Sequence, residues 1–284
     1  MKLIAILTAL ACIAHADAGV VRDIEFARVA EHSLKLDLHL PPADVPAKQP
    51  LIVYVHGGAW RAGSRSDMPL GKLVARGFAV ASVDYRLSTA APFPAQAHDI
   101  KAAIRFLRAR AADFKIDATR IAIAGSSAGG HLAAVVGVTN GVKELEGSVG
   151  ITSASSDVQA IIGLYGASNL ETILGQSTPH GLSVRVPALQ LLLGGQPAEK
   201  PQLARLASPV AHIDANDPPL LLIHGDADPQ MPFEQSLELQ RAYEAANRPV
   251  QLEVVRGGKH GGPEFYDDAR TALMAHFLAA SASR

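Results

Sequence analysis

Six short runs of almost continuous apolar residues, each closed by Gly, Asp or His or by a turn and most followed by a helical pattern, restrict this chain more than any other feature. They are LIVYVHGG (51–58), FAVASVDY (78–85), RIAIAG (120–125), VQAIIGLYG (158–166), PLLLIHGD (219–226) and VQLEVV (250–255). Runs this short and this continuous fit strands covered on both faces, as in a parallel sheet. Between them, residues 94–110 set Ile100, Ala103, Ile104 and Leu107 on one helical face, and 232–246 and 263–280 also read as helices. The alternation predicts an α/β fold, a mostly parallel sheet with helices on both faces.

Two regions depart from that alternation. In SLKLDLHL (33–40), Leu34, Leu36, Leu38 and Leu40 alternate with Lys35, Asp37 and His39, which predicts a half-buried antiparallel strand partnered by residues 20–28 and ended by Pro41 and Pro42. Residues 167–217 are too long for a simple loop and carry a helical piece around VPALQLLLGG, so they read as an insertion of the kind that forms lids or substrate-binding elements.

The first eighteen residues, MKLIAILTALACIAHADA, combine Lys2, an apolar run from Leu3 to Ala14 and a small-x-small site at Ala16 to Ala18. They read as a cleaved signal peptide, and the protein is expected to be secreted or periplasmic with residues 19–284 as one domain. His15 and Asp17 end the apolar run short of the roughly eighteen residues that a membrane span needs, so no stable membrane insertion is expected after the signal is removed. The single cysteine, Cys12, lies inside this segment, leaving the mature chain without disulfides. A formal charge of −1 with no run of Lys and Arg argues against nucleic acid as a partner. Oligomeric state has no signature in the sequence.

In doubly wound sheets, ligands gather outside the carboxyl ends of the strands, and three such ends carry matching chemistry. In IAIAGSSAGG, GSSAG (125–129) fits Gly-x-Ser-x-Gly between a strand and a helix, the context of a sharp turn that presents a nucleophile. The glycine register selects Ser127, because centring the motif on Ser126 would need glycine at Ala124 and Ala128. Gly57 and Gly58 of HGGAW (56–60), with the amide of Ala128, are candidate donors to an oxyanion. His56, at the strand terminus before those glycines, reads as loop support. Among eleven histidines, His260 of GGKHGG combines a strand end, glycine neighbours and a late position in the chain, and it is the expected base. HGDADP (224–229) offers Asp226 or Asp228 as the acid that orients it.

There is no H-E-x-x-H, no cysteine pair outside the leader, no G-x-G-x-x-G and no P-loop, so neither metal nor cofactor is expected.

Together HGGAW, VDYRL, GSSAGG, HGDADPQMPF and GKHGG resemble the α/β-hydrolase superfamily over about residues 34–280, in the esterase branch of feruloyl-esterase-like and hormone-sensitive-lipase-like carboxylesterases. The resemblance implies an eight-stranded sheet, Ser127, Asp228 and His260 as triad, and Gly57, Gly58 and Ala128 as oxyanion hole. It also selects Asp228 over Asp226, at the fifth position of His-Gly-x-x-Asp. HGGAW stands where hormone-sensitive-lipase-like enzymes have HGGG, and the N-terminal segment is short for a helical cap, which favours the feruloyl-esterase-like group.

A serine esterase acting on a small-molecule ester of acetyl, short-chain acyl or feruloyl type is therefore expected. Kynurenine formamidases are similar in the HGG-x-W segment, and prolyl-oligopeptidase-type peptidases share the order of the triad but carry a propeller for which this chain has no room. A non-catalytic binding protein on the same fold is the alternative of another class. Trp60, Phe93, Tyr165, Met231 and Phe233, being large and near strand ends, are the candidates for contact with substrate.

Overall fold

In the computed structural model, which describes residues 19–42 and 48–281, eight strands form one sheet in the order β1-β2-β4-β3-β5-β6-β7-β8. They are β1 (Val20–Val29), β2 (His32–His39), β3 (Gln49–Val55), β4 (Ala79–Val83), β5 (Ile116–Ser126), β6 (Ala160–Leu164), β7 (Leu220–Gly225) and β8 (Val250–Val255). β1 with β2 and β2 with β4 are antiparallel, and every other neighbouring pair is parallel. This is the mostly parallel sheet expected from the apolar runs, with the eight strands that the α/β-hydrolase resemblance implies. Residues 1–18, expected to be a signal peptide and including Cys12, lie outside the described residues.

The helices are α1 (Gly71–Val74), α2 (Ala95–Ala109), α3 (Ala128–Gly137), α4 (Lys143–Glu146), α5 (Ile173–Gln176), α6 (Pro179–Leu193), α7 (Pro201–Leu206), α8 (Glu234–Ala245) and α9 (Asp268–Ser281). Successive side chains of a strand point to opposite faces, so each parallel strand feeds two cores. Val53 and Val55 join Ile100, Ile104 and Leu107 of α2 and Leu132 of α3, whereas Ile52 and Tyr54 join Leu73 of α1 and Met274 and Leu278 of α9. Among the described residues no helix is long and apolar enough to cross a membrane.

Two details differ from expectation. β2 pairs antiparallel with β1 and buries Leu34, Leu36 and Leu38 while Lys35 and His39 stay part-exposed, as the alternation predicts, but Asp37 on the polar face is buried, accepting from Arg65 Nε (3.0 Å), Arg22 Nη1 (3.3 Å) and the Asp23 amide (2.8 Å). The ion pairs with Arg65 and Arg22 offset the cost of removing this carboxylate from water. The last helix begins at Asp268, not at 263, because Pro263–Tyr266 form a separate 3-10 turn and the Asp267 carboxylate then accepts from the Arg270 amide (2.8 Å) as an N-cap.

The inserted region 167–217 contains α5, α6, α7 and a 3-10 turn at Pro209–Ala211. Thr178 caps α6 by accepting from the Gly181 amide (3.0 Å) and also donates to Pro229 O (2.5 Å), which fastens the start of the helix to the loop after β7. The residues that follow β5 and β7 meet this cover, Ser127 and Met231 lying beside Val184, Arg185 and Ala188 of α6.

Candidate active site

Ser127 follows β5 with φ 55° and ψ −120°, a conformation that an L-residue holds only when its surroundings enforce it. Its amide donates to Leu164 O (2.9 Å) and its carbonyl accepts from the His131 amide (3.0 Å) at the start of α3. The flanking glycines allow the backbone to close: a Cβ on Gly129 would lie 2.0 Å from Val55 O, and one on Gly125 would lie 2.2 Å from Gly129 O. The two serines thereby separate. Ser126 Oγ is buried against Tyr54 OH of β3 at 2.9 Å, while Ser127 presents its hydroxyl to the strand ends.

Ser127 Oγ lies 2.8 Å from His260 Nε2, and His260 Nδ1 lies 2.7 Å from Asp228 Oδ2. Asp228, its side chain fully buried, also accepts at Oδ1 from the amides of Gln230 and Met231, both at 2.8 Å. Burial by itself would raise this carboxyl, but hydrogen bonds from His224 and His260 outweigh it and hold Asp228 well below the usual carboxylate range. With Asp228 ionised, His260 Nδ1 must donate, which leaves Nε2 to accept from the Ser127 hydroxyl. Asp226 faces elsewhere, accepting from the Gly257 amide (2.6 Å) and from Arg256 (3.0 Å). The loops carrying acid and base are pressed together at Gly225, where a Cβ would stand 2.2 Å from Gly258 O.

His224 has no role in the reading from sequence, yet it lies under the acid. Its Nε2 is 3.4 Å from Asp228 Oδ2 and 3.2 Å from Met231 O, both acceptors, so Nε2 carries the proton and Nδ1 accepts from the Ser236 hydroxyl (2.7 Å). The first residue of HGDADP is the signal that points to it: it sits four positions before Asp228, just ahead of the glycine that ends β7. His131 is a second buried imidazole near the site. It accepts from Trp60 Nε1 (3.1 Å) and donates from Nε2 to Ala207 O (2.6 Å), and burial lowers it to about 4.

Gly57 is brought against Ser127, a Cβ there being 3.4 Å from Ser127 Cβ, and Gly58 makes the tight turn that follows at φ +105°. Ala128 occupies the first turn of α3, where an amide has no acceptor within the helix. His56 is buried, stacked on Tyr85 at 4.4 Å with Nδ1 2.8 Å from Gly57 O, in a supporting position.

The expected substrate contacts divide. Trp60 and Met231 line the cleft beside Ser127 and Ala128, together with Val184, Arg185 and Ala188 of α6. Its free volume is about 10 Å³, on the order of one water molecule. Tyr165 lines no part of it and packs edge-on to the His260 ring at 5.1 Å, its hydroxyl 3.0 Å from Tyr266 OH. Phe93 is buried in the apolar core of the α2 and α3 face, its amide bonded to Leu192 O (2.8 Å), and Phe233 packs on His224 at 5.5 Å. Large size near a strand end does not distinguish a residue that faces the cleft from one that packs behind it. His212 of the insertion lines a separate groove of about 760 Å³ with Glu144, Glu199 and Lys200, which includes none of Ser127, Asp228 and His260.

A serine hydroxyl bonded to an imidazole, itself bonded to a buried carboxylate, can remove the serine proton as the oxygen attacks a carbonyl carbon. A family model described as BD-FAE matches residues 36–243 of this chain. The esterase LipC of Mycobacterium tuberculosis is 34% identical over 83% of this chain and 59% of its own length. The isoprenylcysteine alpha-carbonyl methylesterase ICME of Arabidopsis thaliana is 31% identical over 85% of this chain and 59% of its own. The chain thus spans about three fifths of the length of these curated relatives. A solved structure described as a truncated form of a carbohydrate esterase from gut microbiota superposes with a TM-score of 0.85 at 33% identity, over 94% of this chain and 98% of that one. The propionate-bound esterase Est2 of Thermogutta terrifontis gives 0.74 at 28% identity, over 93% and 94%.

Proposed function

Because the chain belongs to the BD-FAE family of α/β-hydrolase esterases, we propose that it is a carboxylic ester hydrolase working through an acyl-enzyme on Ser127. The observation that carries this reading is the unbroken line of hydrogen bonds from Ser127 Oγ through His260 to Asp228.

In this reading His260 Nε2 takes the Ser127 proton as Oγ attacks the ester carbonyl, and the amides of Gly57, Gly58 and Ala128 receive the developing oxyanion. Asp228 keeps the proton on Nδ1 and stabilises the imidazolium, and His224 with the Gln230 and Met231 amides holds Asp228 in place. His260 then returns the proton to the leaving alcohol, and a water activated by the same nitrogen releases the acid.

We assign the substrate to esters of acetyl or short-chain acyl type, a reading supported by the narrow cleft that Trp60, Met231, Val184 and Ala188 form beside Ser127. The relative described as a carbohydrate esterase supports an alcohol side borne by a sugar. The same reading includes export, with residues 1–18 as a leader; N-terminal sequencing of the secreted chain should begin at Gly19.

The test is hydrolysis of p-nitrophenyl acetate, with Ser127→Ala expected to lose about 10⁴-fold or more in kcat while melting as the parent does. Full activity in that variant sinks the assignment. Acetyl, butyryl, octanoyl and feruloyl esters, run beside N-formylkynurenine, sort the acyl group; turnover of N-formylkynurenine above every ester would replace the esterase reading with a formamidase.

A further inference from the structure

Arg185, on α6, is 3% exposed and lines the cleft that contains Ser127, Ala128 and Trp60. Its Nε has no hydrogen-bond partner, Nη1 meets only the weak acceptor Met231 Sδ at 3.6 Å, and Nη2 donates to Gln230 O. Among the described residues it makes no ion pair.

Arg105, equally buried, shows what a structural arginine looks like in this protein. Its Nε donates to Ile151 O (2.6 Å), Nη1 to Glu146 O (2.9 Å) and to the Glu146 carboxylate (3.2 Å), and Nη2 to Val149 O (2.9 Å). A guanidinium removed from water without such partners is costly. Asp228 favours the Arg185 charge from a distance but cannot satisfy it, since both its oxygens are taken by His260, His224 and two amides. Burial lowers Arg185 only to about 10, so it carries its charge at neutral pH.

We propose that Arg185 is an anion subsite of the catalytic cleft and that the enzyme prefers esters bearing a carboxylate close to the scissile bond. The Nε–H has no partner and Nη1 meets only the Met231 thioether, so both are donors left over for a charge-assisted hydrogen bond to a substrate carboxylate. This rests on the reading of Ser127 as nucleophile. The competing role is a staple that only fastens α6 to the Gln230–Met231 loop, and a staple would not sense substrate charge.

The test compares isosteric acid and amide pairs on either side of the ester: acetoxyacetate against acetoxyacetamide, and monomethyl succinate against methyl succinamate. The wild-type enzyme should favour the acid by about tenfold or more in kcat/KM in at least one pair. Arg185→Gln should bring that ratio to about one, and Arg185→Lys, which keeps the charge but not the fork, should retain part of it. A wild-type ratio at or below one in both pairs overturns the proposal even if no variant folds, as does a ratio unchanged in Arg185→Gln. Failure of the underlying reading looks different: p-nitrophenyl acetate would then resist the wild-type enzyme or yield to Ser127→Ala.

Discussion

The carboxyl ends of β5 and β7 and the helical cover beside them meet at one cleft but are built by different rules. At the sheet ends, backbone approaches a Cβ could not survive fix each functional atom: Gly129 against Val55 O, Gly125 against Gly129 O, Gly225 against Gly258 O. In the cover, α6 rests apolar Ala188, Leu189 and Leu192 on the core and leaves Val186 and Leu191 exposed, at 40% and 38%. It is tied down at Thr178 and Arg185, both to the loop that follows Asp228. On the proposed function, the sheet end carries the chemistry and the cover sets the space and charge that a substrate meets.

Matched glycine substitutions give the widest separation between the two regions. Gly129→Ala puts its Cβ 2.0 Å from Val55 O, and the expected outcome is loss of soluble folded protein, read by expression and circular dichroism. A Gly129→Ala variant with parental melting would show that the sheet end is more compliant than described. Next in size, Asp228→Asn removes the charge that orients His260, and kcat for acetyl esters should fall by about 10⁴-fold with the fold retained. A loss under tenfold would mean that the acid only fills space.

The seam between the regions can be probed by pH, because His131 bridges Trp60 beside the oxyanion turn and Ala207 of the cover. Its folded value of about 4 lies below the unfolded value near 6.5, so its contribution is complete above about pH 6.5 and is lost as pH falls to about 4. That amounts to a change on the order of 3 kcal/mol. Burial lowers His56 and His39 in the same sense, and Asp217, raised by burial to about 7, acts oppositely over this window. The readout is therefore the gap in urea stability between the parent and His131→Asn, which should narrow from pH 7.5 to pH 4.5; a constant gap would exclude a buried neutral imidazole. The smallest effect is expected at Gly175 in α5, where an added Cβ has nothing within 4 Å. Gly175→Ala should leave turnover intact and change stability by no more than about 1 kcal/mol, in the stabilising direction.

The same division explains what could be read from the sequence. Strands buried on both faces have to be continuous apolar runs, so five of the six runs and the buried α2 face of Ile100, Ala103, Ile104 and Leu107 are written locally; the sixth run, β8, is an edge strand left part-exposed, because among the described residues no strand covers its outer edge. The nucleophile turn is equally local, since its glycines answer to backbone contacts within five residues and to the neighbouring strand. The burial of Asp37 was not legible, because it depends on Arg65, 28 residues away in sequence. Nor could the chain alone tell that Phe93 packs against the core or that Arg185 faces Ser127, 58 positions earlier, since both follow from how the inserted segment lies on the sheet. His224 is intermediate: its motif was visible, but its bond to Asp228 closes only when the turn after β7 is formed.

The central claim, that the strained turn after β5 presents Ser127 and not Ser126 as a nucleophile, is tested most directly by a fluorophosphonate probe followed by peptide mass spectrometry. The account predicts one covalent adduct, on Ser127, abolished in Ser127→Ala and retained in Ser126→Ala. An adduct that persists in Ser127→Ala, or a folded parent that takes no label, would contradict it.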